Sequence, residues 1–451
     1  MVFTRDLRLA DNPALTAAAA RTSAVVPLFV LDGQLIARCG AGAARLRFLQ
    51  ESLADLDAQL RQLGGALVVR RGLWLPTVLD TARSAGASEI HLADDVSGHA
   101  QKRVARLTAA AGACGITVRT HPGVTIVPPP VLRSGSGPAY RVFAPYYRRW
   151  LERPRRLAAR PPARVNLPAS YDPRHVAAPA DLIECATSSA DQAGGELAGL
   201  LQLRRWTGTG LAGYDTGRDA LAADATSRLS AYLHLGCLSP LVVEEAVRDL
   251  PGSVGFVRQL AWRDFFSQLL AARPDSAWSD LTDRGDEWAD DQHALQAWQA
   301  GQTGYPVVDA AMRQLRAEGF MPGRARMITA SFLAKDLYLD WGLGAAHFQH
   351  HLVDADIACN QLNWQWVAGT GTDQNWHRVF NPVRQGHIFD PDGDYVRRYV
   401  PELASLPADR IHDPAPADRR AARYPAPIID HRDAVAAYRA RRHLATAGGT
   451  R

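Results

Sequence analysis

Three hydroxyl groups and a guanidinium lie directly before a predicted helix, in the segment Thr226, Ser227, Arg228, Leu229 and Ser230. Backbone N–H groups point outward at a helix start and the helix dipole favours an anion, so this segment can cradle a phosphate. On the pentapeptide alone, a simple N-cap is the favoured interpretation, and the phosphate cradle stays open beside it.

Asp354, Ala355 and Asp356 are followed by Asn360. Two carboxylates two residues apart, with an amide four residues further on, can bind a metal ion or hydrogen-bond a heterocycle. As an isolated pattern it favours a solvated loop. A metal site would need more oxygen ligands, such as a bidentate glutamate, and none is adjacent.

Trp364 and Trp366 lie two residues apart in a polar, glycine-rich segment. Exposed aromatic faces beside arginines are what the stacking of nucleic-acid bases needs. A tryptophan beside an arginine also occurs on a predicted helix, at Trp262, Arg263 and Asp264. Core packing of these tryptophans is an equally open interpretation.

Other chemistries are disfavoured by the residues present. His347 and His351 have the spacing of a zinc pair, but no glutamate completes an HExxH motif, so we expect no metal site. No GxGxxG follows a predicted strand, which disfavours an ordinary dinucleotide site. No nucleophile-elbow or Ser-His-Asp pattern is present.

Residues 1–121 alternate strand and helix patterns and predict a Rossmann-like parallel α/β domain. The residues 43–63 carry leucines at steps of three and four, which predicts an amphipathic helix. Asn12 and Pro13 predict another helix start. The first strand is unusually short. The predicted strands are 24–32, 66–71, 89–93 and 116–119.

Residues 122–200 form a predicted interdomain linker, since 12 of the chain's 28 prolines fall within 122–180. Residues 201–451 carry mainly helical patterns and predict an all-α domain. The fold class is therefore α/β followed by all-α. The clearest of these predicted helices are 241–250, 254–272, 307–317, 324–339 and 345–353.

The composition restricts the protein class. Of 451 residues, 47% are hydrophobic and 22% charged, as in globular proteins, and no apolar run is long enough for a transmembrane helix. Five scattered cysteines and the absence of a signal-peptide pattern predict a cytoplasmic protein. The net charge of +5 permits nucleic-acid binding without demonstrating it. Nine of the 11 tryptophans lie between Trp206 and Trp376.

Taken together, these residues resemble the photolyase/cryptochrome family, in particular the bacterial DNA photolyases that act on cyclobutane pyrimidine dimers. The ordered matches span nearly the whole chain. They are FTRDLR at 3–8, DNPAL at 11–15, TSRLS at 226–230, GCLSP at 236–240, WRDF at 262–265, TGYPVVDAAMR at 303–313, ASFL at 330–333 and NWQWVAGTGT at 363–372.

The resemblance implies that the helical domain binds a U-shaped FAD and that the α/β domain holds a second, light-harvesting pigment. For the phosphate cradle and for the Asp354–Asp356 pattern, the resemblance favours the functional interpretation over the structural one. The implied FAD-binding residues are Tyr214, Thr226, Ser227, Arg228, Leu229, Ser230, Arg263, Arg326, Asp354, Ala355, Asp356 and Asn360, with Asn360 facing flavin N5.

The reaction implied by the resemblance is light-driven repair of damaged DNA by a monomeric enzyme. Excited reduced flavin donates an electron to a flipped-out dimer, the ring opens, and the electron returns. The implied lesion and DNA contacts are Trp262, Trp366, Met327, Arg218 and Arg324. The implied electron relay for photoreduction consists of Trp364, Trp341 and Trp288.

Three positions depart from the family pattern. Gln259 stands where many dimer photolyases have a glutamate, which resembles the (6-4) photolyases, although Met327 stands where those enzymes carry a histidine. Gly323 replaces a common asparagine. Ser97-Gly98-His99 lacks the Asn-Glu pair of folate antenna sites, which favours an 8-hydroxydeazaflavin antenna over methenyltetrahydrofolate. A cryptochrome-like photoreceptor and a (6-4) photolyase therefore remain alternative functions.

Overall fold

A computed structural model of the chain describes residues 1–22, 24–38, 40–135, 137–171, 177–179 and 192–448. The chain forms two compact units. The first unit comprises Met1–Ala212, Ser227–Asp275 and Val353–Cys359, and the second comprises Gly213–Thr226, Ser276–Leu352 and Asn360–Arg451. The predicted domain boundaries at 121 and 200 stay a prediction.

The first unit contains a five-stranded parallel sheet with the order β3-β2-β1-β4-β5, which confirms the predicted α/β fold. The strands are β1 (Val2–Phe3), β2 (Leu28–Leu31), β3 (Val68–Arg71), β4 (Glu89–Ala93) and β5 (Thr117–His121). The short first strand is central, because Val2 pairs with both Leu28 and Leu92. Its core of Val2, Leu28, Ile90 and Leu92 is buried under the neighbouring helices.

Five helices connect and cover these strands: α1 (Pro13–Arg21), α2 (Gly33–Arg38), α3 (Ala43–Gln62), α4 (Trp74–Ser84) and α5 (Gly98–Gly112). The predicted cap of α1 is confirmed, since Asn12 Oδ1 accepts a hydrogen bond from Leu15 N at 3.0 Å. The predicted apolar face of α3 is confirmed as well. Its residues Leu53, Leu56 and Leu60 are fully buried, and each such side chain contributes about 1.5–3 kcal/mol.

The remaining α-helices are mostly short, and those beyond residue 200 confirm the predicted all-α region. They are α6 (Phe143–Glu152), α7 (Glu196–Thr209), α8 (Tyr214–Gly217), α9 (Ser230–Leu235), α10 (Pro240–Val247), α11 (Ser253–Ala272), α12 (Gln292–Ala300), α13 (Pro306–Glu318), α14 (Gly323–Ser331), α15 (Trp341–His351), α16 (Ile357–Ala368), α17 (Pro382–Phe389), α18 (Asp394–Tyr399), α19 (Ala408–Ile411), α20 (Pro416–Ala422) and α21 (His431–Gly448). Among the described residues, no helix is long and apolar enough to cross a membrane.

Helix α13 forms the centre of the second unit and packs against α12, α14, α17 and α18. Asp309 on this helix is fully buried. It accepts hydrogen bonds from Thr303 N and Oγ1 at 2.7 Å each, from Gly304 N at 3.1 Å, and from the Tyr424 hydroxyl. The TGYPVVDAAMR motif therefore has a structural role here, because its buried carboxylate is satisfied by the turn that begins α13.

The predicted helix 324–339 ends earlier than expected. Helix α14 stops at Ser331, and a π-helical turn follows at Phe332–Asp336. Tyr338 then adopts a left-handed backbone with φ 53°. A π turn inserts one residue per turn and a positive φ ends a helix, and neither leaves a signature in apolar periodicity.

Candidate functional site

Asp356 lies in a buried ionic cluster of the first unit. The Arg5 guanidinium forms an ion pair with Asp356 Oδ2, and its Nη1 lies 3.6 Å from Asp95 Oδ2. His234 Nδ1 lies 4.0 Å from Asp356 Oδ2, and Asp356 Oδ1 accepts from Cys359 N at 3.0 Å. Burial alone would raise the pKa of Asp356, but the positive charge of Arg5 overrides it and holds this pKa well below its usual range.

The segment before Asp356 is a tight turn rather than a solvated loop. Asp356 N donates to Asp354 O at 2.6 Å, and the Ala355 side chain is buried. The solvated-loop interpretation is therefore wrong for Asp356. The carboxylate is already paired with Arg5, which leaves a fixed negative charge able to accept a hydrogen bond from a heterocycle.

The predicted phosphate segment is divided between the two units. Gln202 Nε2 donates to Ser227 O at 2.9 Å and Gln192 Nε2 donates to Arg228 O at 2.6 Å, which fixes the turn before α9. The residue at the N-cap position of α9 is Leu229, and no side chain caps that helix. The simple N-cap interpretation is therefore wrong.

Thr226 belongs to the second unit. Its Oγ1 is buried and makes no hydrogen bond within the part of the chain that the structure describes. A buried hydroxyl without a partner costs about 1–3 kcal/mol, so this atom fits a ligand that supplies one, such as a phosphate oxygen of FAD.

Arg263 and Asp264 hold the first unit together around α11. The Arg263 guanidinium donates to Val124 O at 2.5 Å and to Leu233 O at 3.2 Å. Asp264 accepts from Val127 N at 2.9 Å and from the Trp150 indole at 3.0 Å. Burial raises the pKa of Asp264 to about 6. Asp264 is thus a structural anchor, whereas contact of Arg263 with the cofactor stays a prediction.

Trp262 is half-buried and stacks on Phe143, with ring centroids 3.7 Å apart and planes 5° from parallel. This contact holds one indole face rigidly. Gln259 lies one helical turn earlier on the same face of α11 and is half-buried. Its amide makes no hydrogen bond to any described residue that the structure records, so it is available to a ligand.

In the second unit, the predicted DNA-contacting arginines lie beside aromatic rings. Arg324 Nη2 forms an ion pair with Asp219 at 2.9 Å, and its guanidinium lies 4.2 Å from the Phe389 ring centroid. The Arg218 guanidinium lies 5.8 Å from the ring centroid of Tyr214, which is buried. Both arginines are partly exposed, as phosphate contacts require.

Helix α14 also carries Gly323, Arg326 and Met327. Arg326 Nε donates to Met321 O at 2.7 Å, and Met327 is half-buried. A Cβ atom added at Gly323 would meet no atom within 4 Å. The site therefore has room for the asparagine that is common in the family.

Asn360 is buried at the start of the second unit's part of α16. Its Nδ2 donates to Ala345 O at 2.9 Å and to Gln361 Oε1 at 3.1 Å. These bonds fix the carboxamide, and its Oδ1 accepts no recorded hydrogen bond among the described residues. An open, oriented acceptor fits the N5–H of a reduced flavin, so the residue present at this position suits the cofactor.

Trp364 is packed tightly inside the second unit. Its ring lies 5.0 Å from Phe348 and 6.0 Å from Trp298, both at edge-to-face angles. A Cβ added at Gly344 would lie 2.3 Å from Trp364 Cη2, so only glycine leaves room for the indole. Trp298, which had no predicted role, is fully buried and is part of the core.

The other predicted relay tryptophans also lie in the second unit, Trp341 buried and Trp288 half-buried. The Trp341 indole donates to Asp280 Oδ1 at 2.7 Å, and Trp288 is half-buried against Tyr338. Trp366 is also half-buried. Their roles in electron relay and lesion contact stay predictions.

The histidines on α15 lie close together, with the His347 and His351 rings 4.5 Å apart. Burial, followed by the charge of neighbouring His351, lowers the pKa of His347 to about 3. Within the described residues, no group of three or more His, Cys, Asp or Glu is placed to hold a metal ion.

Two partners of predicted site residues were missed from the sequence, namely Arg5 and His234 beside Asp356. Arg5 lies in the FTRDLR segment that carried the resemblance, which was the available signal. Its partner is 351 positions away, a separation that no local spacing can bridge.

The chain thus combines a parallel α/β unit with a helical region that contains buried tryptophans and the fixed Asn360 carboxamide. Two family profiles match the chain: "DNA photolyase" over residues 1–167 and "FAD binding domain of DNA photolyase" over residues 256–443. The chain belongs to the DNA photolyase family, and it carries an FAD-binding domain.

Similar proteins cover nearly the full chain. The deoxyribodipyrimidine photo-lyase of Streptomyces griseus is 46% identical over 98% of this chain and 99% of its own. A cryptochrome DASH of Gloeobacter violaceus is 34% identical over 95% of this chain and 92% of its own.

Solved structures are similar as well. The class III photolyase of Agrobacterium tumefaciens has a TM-score of 0.89 at 34% identity and covers 99% of this chain and 97% of its own. The archaeal photolyase of Sulfolobus tokodaii, solved with two FAD molecules, has a TM-score of 0.87 at 28% identity and covers 98% of this chain and 99% of its own.

Proposed function

We propose that this protein is a light-dependent DNA repair enzyme that splits cyclobutane pyrimidine dimers. The observation that carries the proposal is the whole-length similarity to the Streptomyces griseus enzyme, whose name, deoxyribodipyrimidine photo-lyase, states that it acts on deoxyribodipyrimidines. When bound, reduced FAD excited by blue light supplies the electron that opens the cyclobutane ring and takes it back afterwards.

The residues of this chain bind and orient the reactants. Thr226, with Ser227–Ser230 and Tyr214, holds the phosphates and ribitol. Asn360 presents Oδ1 to flavin N5 and keeps its proton in place. Asp356, held ionised by Arg5, accepts from the heterocycle or the sugar. The remaining cofactor contacts come from Arg263, Arg326 and Asp354.

Some of the proposed DNA contacts provide affinity for the DNA backbone, and others recognise the lesion. Arg218 and Arg324 meet phosphates, so binding weakens as salt rises. Trp262 offers the indole face that Phe143 leaves open, and Trp366 and Met327 contact the flipped bases. Gln259 donates its amide hydrogen to a pyrimidine carbonyl, a bond that a carboxylate cannot donate.

The test uses photoreduced protein and an oligonucleotide with one defined lesion under blue light. Restored thymines from a cyclobutane dimer support the proposal, and repair of a (6-4) lesion instead would assign the function suggested by Gln259. No repair of either lesion, with flavin photoreduction retained, would refute both enzyme functions and leave a cryptochrome-like photoreceptor. Trp262→Phe is the matched control for Trp262→Ala, because it keeps an aromatic face.

We also propose an 8-hydroxydeazaflavin antenna rather than methenyltetrahydrofolate. Ser97 Oγ accepts from Ala100 N at 3.2 Å and caps α5, so Ser97 serves the helix instead of a folate. Extraction of pigment from the protein, followed by mass spectrometry, tests this. Recovery of a folate would overturn it.

We also propose that the protein is cytoplasmic and monomeric. The described cysteines Cys114, Cys237 and Cys359 are all free thiols, which suits a reducing compartment. Cell fractionation and light scattering in solution test location and mass.

A further inference from the structure

The second unit contains an open cleft with a volume of about 710 Å³. The start of α17, the start of α21 and the buried Arg419 on α20 form part of its wall. A cleft of this volume is large enough for a small-molecule ligand. Among the described residues that line it, none is assigned above to FAD, DNA or the electron relay. The proposed function therefore does not use this cleft.

Arg419 places a buried positive charge in the cleft, because only 9% of its side chain is exposed. Its Nε donates to Pro414 O, and its Nη1 donates to Gly304 O and Pro425 O, all at 2.8 Å. These carbonyl groups orient the guanidinium but carry no net charge. Nη2 makes no recorded hydrogen bond to any described residue, and Asp413 Oδ1, on a side chain that is 71% exposed, lies 4.0 Å from it. A buried charge normally has a close partner, so Nη2 is available to an anion.

Two exposed arginines, Arg384 and Arg432, also line the cleft. Within the part of the chain that the structure describes, neither has a recorded carboxylate partner. A guanidinium presents its N–H donors in a planar fork that matches the oxygen atoms of a phosphate group. The three guanidiniums share the cleft with two carboxylates, those of Asp413 and Asp430. The excess of positive charge favours an anionic ligand.

Both exposed arginines lie in the first turn of a helix. Asn381 Oδ1 accepts a hydrogen bond from Arg384 N at 2.9 Å at the start of α17. Asp430 Oδ1 accepts from Arg432 N at 2.8 Å at the start of α21. The positive ends of two helix dipoles therefore lie at the cleft and add to its preference for an anion. Because Asp430 already binds the backbone of α21, Asp413 is the carboxylate that would repel a bound anion.

Part of the cleft is apolar. Val383, Ile388, Pro427 and Ile429 line it, and Ile388 is 50% exposed. The Tyr305 hydroxyl donates to Ile429 O at 2.7 Å, which occupies the proton of the phenol that lines the cleft. A bare inorganic ion would leave these apolar side chains exposed to water, whereas the organic part of a larger ligand would cover them. The cleft therefore fits a phosphate that carries an organic group.

We propose that this cleft binds a phosphate monoester, the group that a free nucleotide and a 5′-phosphorylated DNA end have in common. Arg419 Nη2 donates to one phosphate oxygen, and Arg384 and Arg432 donate to the others. The aliphatic side chains pack against the nucleoside. This site goes beyond the proposed repair activity and shares no residue with it.

The test is isothermal titration calorimetry of the FAD-saturated protein with four probes: adenosine monophosphate, adenosine, and a deoxyadenosine dinucleotide with and without a 5′-phosphate. Purines are used because the proposed lesion pocket takes pyrimidines. Adenosine monophosphate should bind and adenosine should not, since the phosphate provides the interaction. Arg384→Gln and Arg432→Gln should each weaken this binding by about 10-fold, as expected for loss of a charge-assisted hydrogen bond.

Arg420→Gln is the matched control. Arg420 is exposed and follows Arg419 on α20, but it does not line the cleft. The substitution removes the same charge and should leave the affinity for adenosine monophosphate unchanged. Asp413→Asn should tighten binding by about 2- to 5-fold, because it removes a screened negative charge. Arg419→Gln should abolish binding, and circular dichroism verifies folding; if this variant is unfolded, the exposed positions decide the question.

The probes also identify the source of the phosphate. Binding of the 5′-phosphorylated dinucleotide, but not of its unphosphorylated form, would identify a DNA end as a ligand, and binding of adenosine monophosphate alone would identify a free nucleotide. The proposal is overturned if neither phosphorylated probe binds at millimolar concentration, or if adenosine binds as well as its monophosphate. Unchanged affinity in both Arg384→Gln and Arg432→Gln, or weaker binding in Asp413→Asn, would equally overturn it.

Discussion

Removal of the Arg5 guanidinium should show how strongly the stability of the protein depends on the ion pair between Arg5 and the buried Asp356 carboxylate. Arg5→Met keeps the length and apolar stem of the side chain but leaves Asp356 buried beside an uncharged partner. The Asp356 side chain is 9% exposed and that of Arg5 is 16% exposed, so solvent screens the pair little. Breaking one side of such a buried pair costs about 3–5 kcal/mol. Because Cys359 N still donates to Asp356, we expect a loss of about 3 kcal/mol in the free energy of unfolding.

The pH dependence of this loss has a definite sign. In the unsubstituted protein the depressed pKa of Asp356 contributes stability above the unfolded-state pKa of about 4, which is lost only as pH falls through the folded value. In Arg5→Met the largest lowering influence is gone and burial is opposed only by His234 and Arg263, so the pKa of Asp356 rises and the penalty shrinks as pH falls. The difference between the two proteins should be largest near neutral pH and should keep shrinking as pH falls below about 4, toward the depressed pKa of Asp356 in the unsubstituted protein.

Urea unfolding followed by circular dichroism, at saturating flavin and several pH values, measures this difference. Arg61→Met is the matched control, because Arg61 pairs with Asp57 on α3 but is 38% exposed. It should cost under about 1 kcal/mol. Arg5→Met combined with Asp356→Asn should be less destabilised than the sum of the single changes, with a coupling of about 1–3 kcal/mol. Additive losses that do not vary with pH would refute the reasoning.

Further predictions concern packing and the relay. Trp364→Phe should slow flavin photoreduction far more than it slows repair by already reduced enzyme; equal losses in the two assays would show that the relay assignment is wrong. Gly344→Ala, which places a Cβ 2.3 Å from Trp364 Cη2, should destabilise the protein by about 1–3 kcal/mol in urea unfolding. Asp264→Ala should cost about 3 kcal/mol or more by the same measurement, since it leaves buried N–H donors unpaired, including the Trp150 indole, and Asp264→Asn should cost less. Gly323→Asn should be accepted without loss of stability and should tighten lesion binding in a filter-binding titration; weaker binding would contradict the open space found there.

Local patterns in the sequence were sufficient for most of the fold. The leucine spacing at 43–63 reproduced α3 to within one residue of its end at Gln62, because an amphipathic face repeats every turn. The Asn12 cap and the strand at 89–93 were also found, since caps and short apolar runs are local signals. The π turn at Phe332–Asp336 was missed, because it keeps the same residue types as the helix that it interrupts.

The site was less accessible to sequence reasoning, because its contacts are long-range. The types of Asp356 and Asn360 indicated hydrogen bonding, yet nothing in their spacing showed that Arg5 would fix the charge of Asp356. The resemblance supplied roles for single residues but not their partners. Gly344 is a clear case, since its need to be glycine becomes visible only when the Trp364 indole is placed against it.

The proposed electron relay would give the uneven tryptophan distribution a physical explanation beyond core packing. An indole that passes on an electron must be rigid and in close contact with its neighbours, and Trp364 meets both conditions through Gly344 and Trp298. Trp288 differs, because it is half-buried and packs against the Tyr338 ring with centroids 5.0 Å apart. The inner indole is therefore more fully enclosed by its neighbours than the outer one.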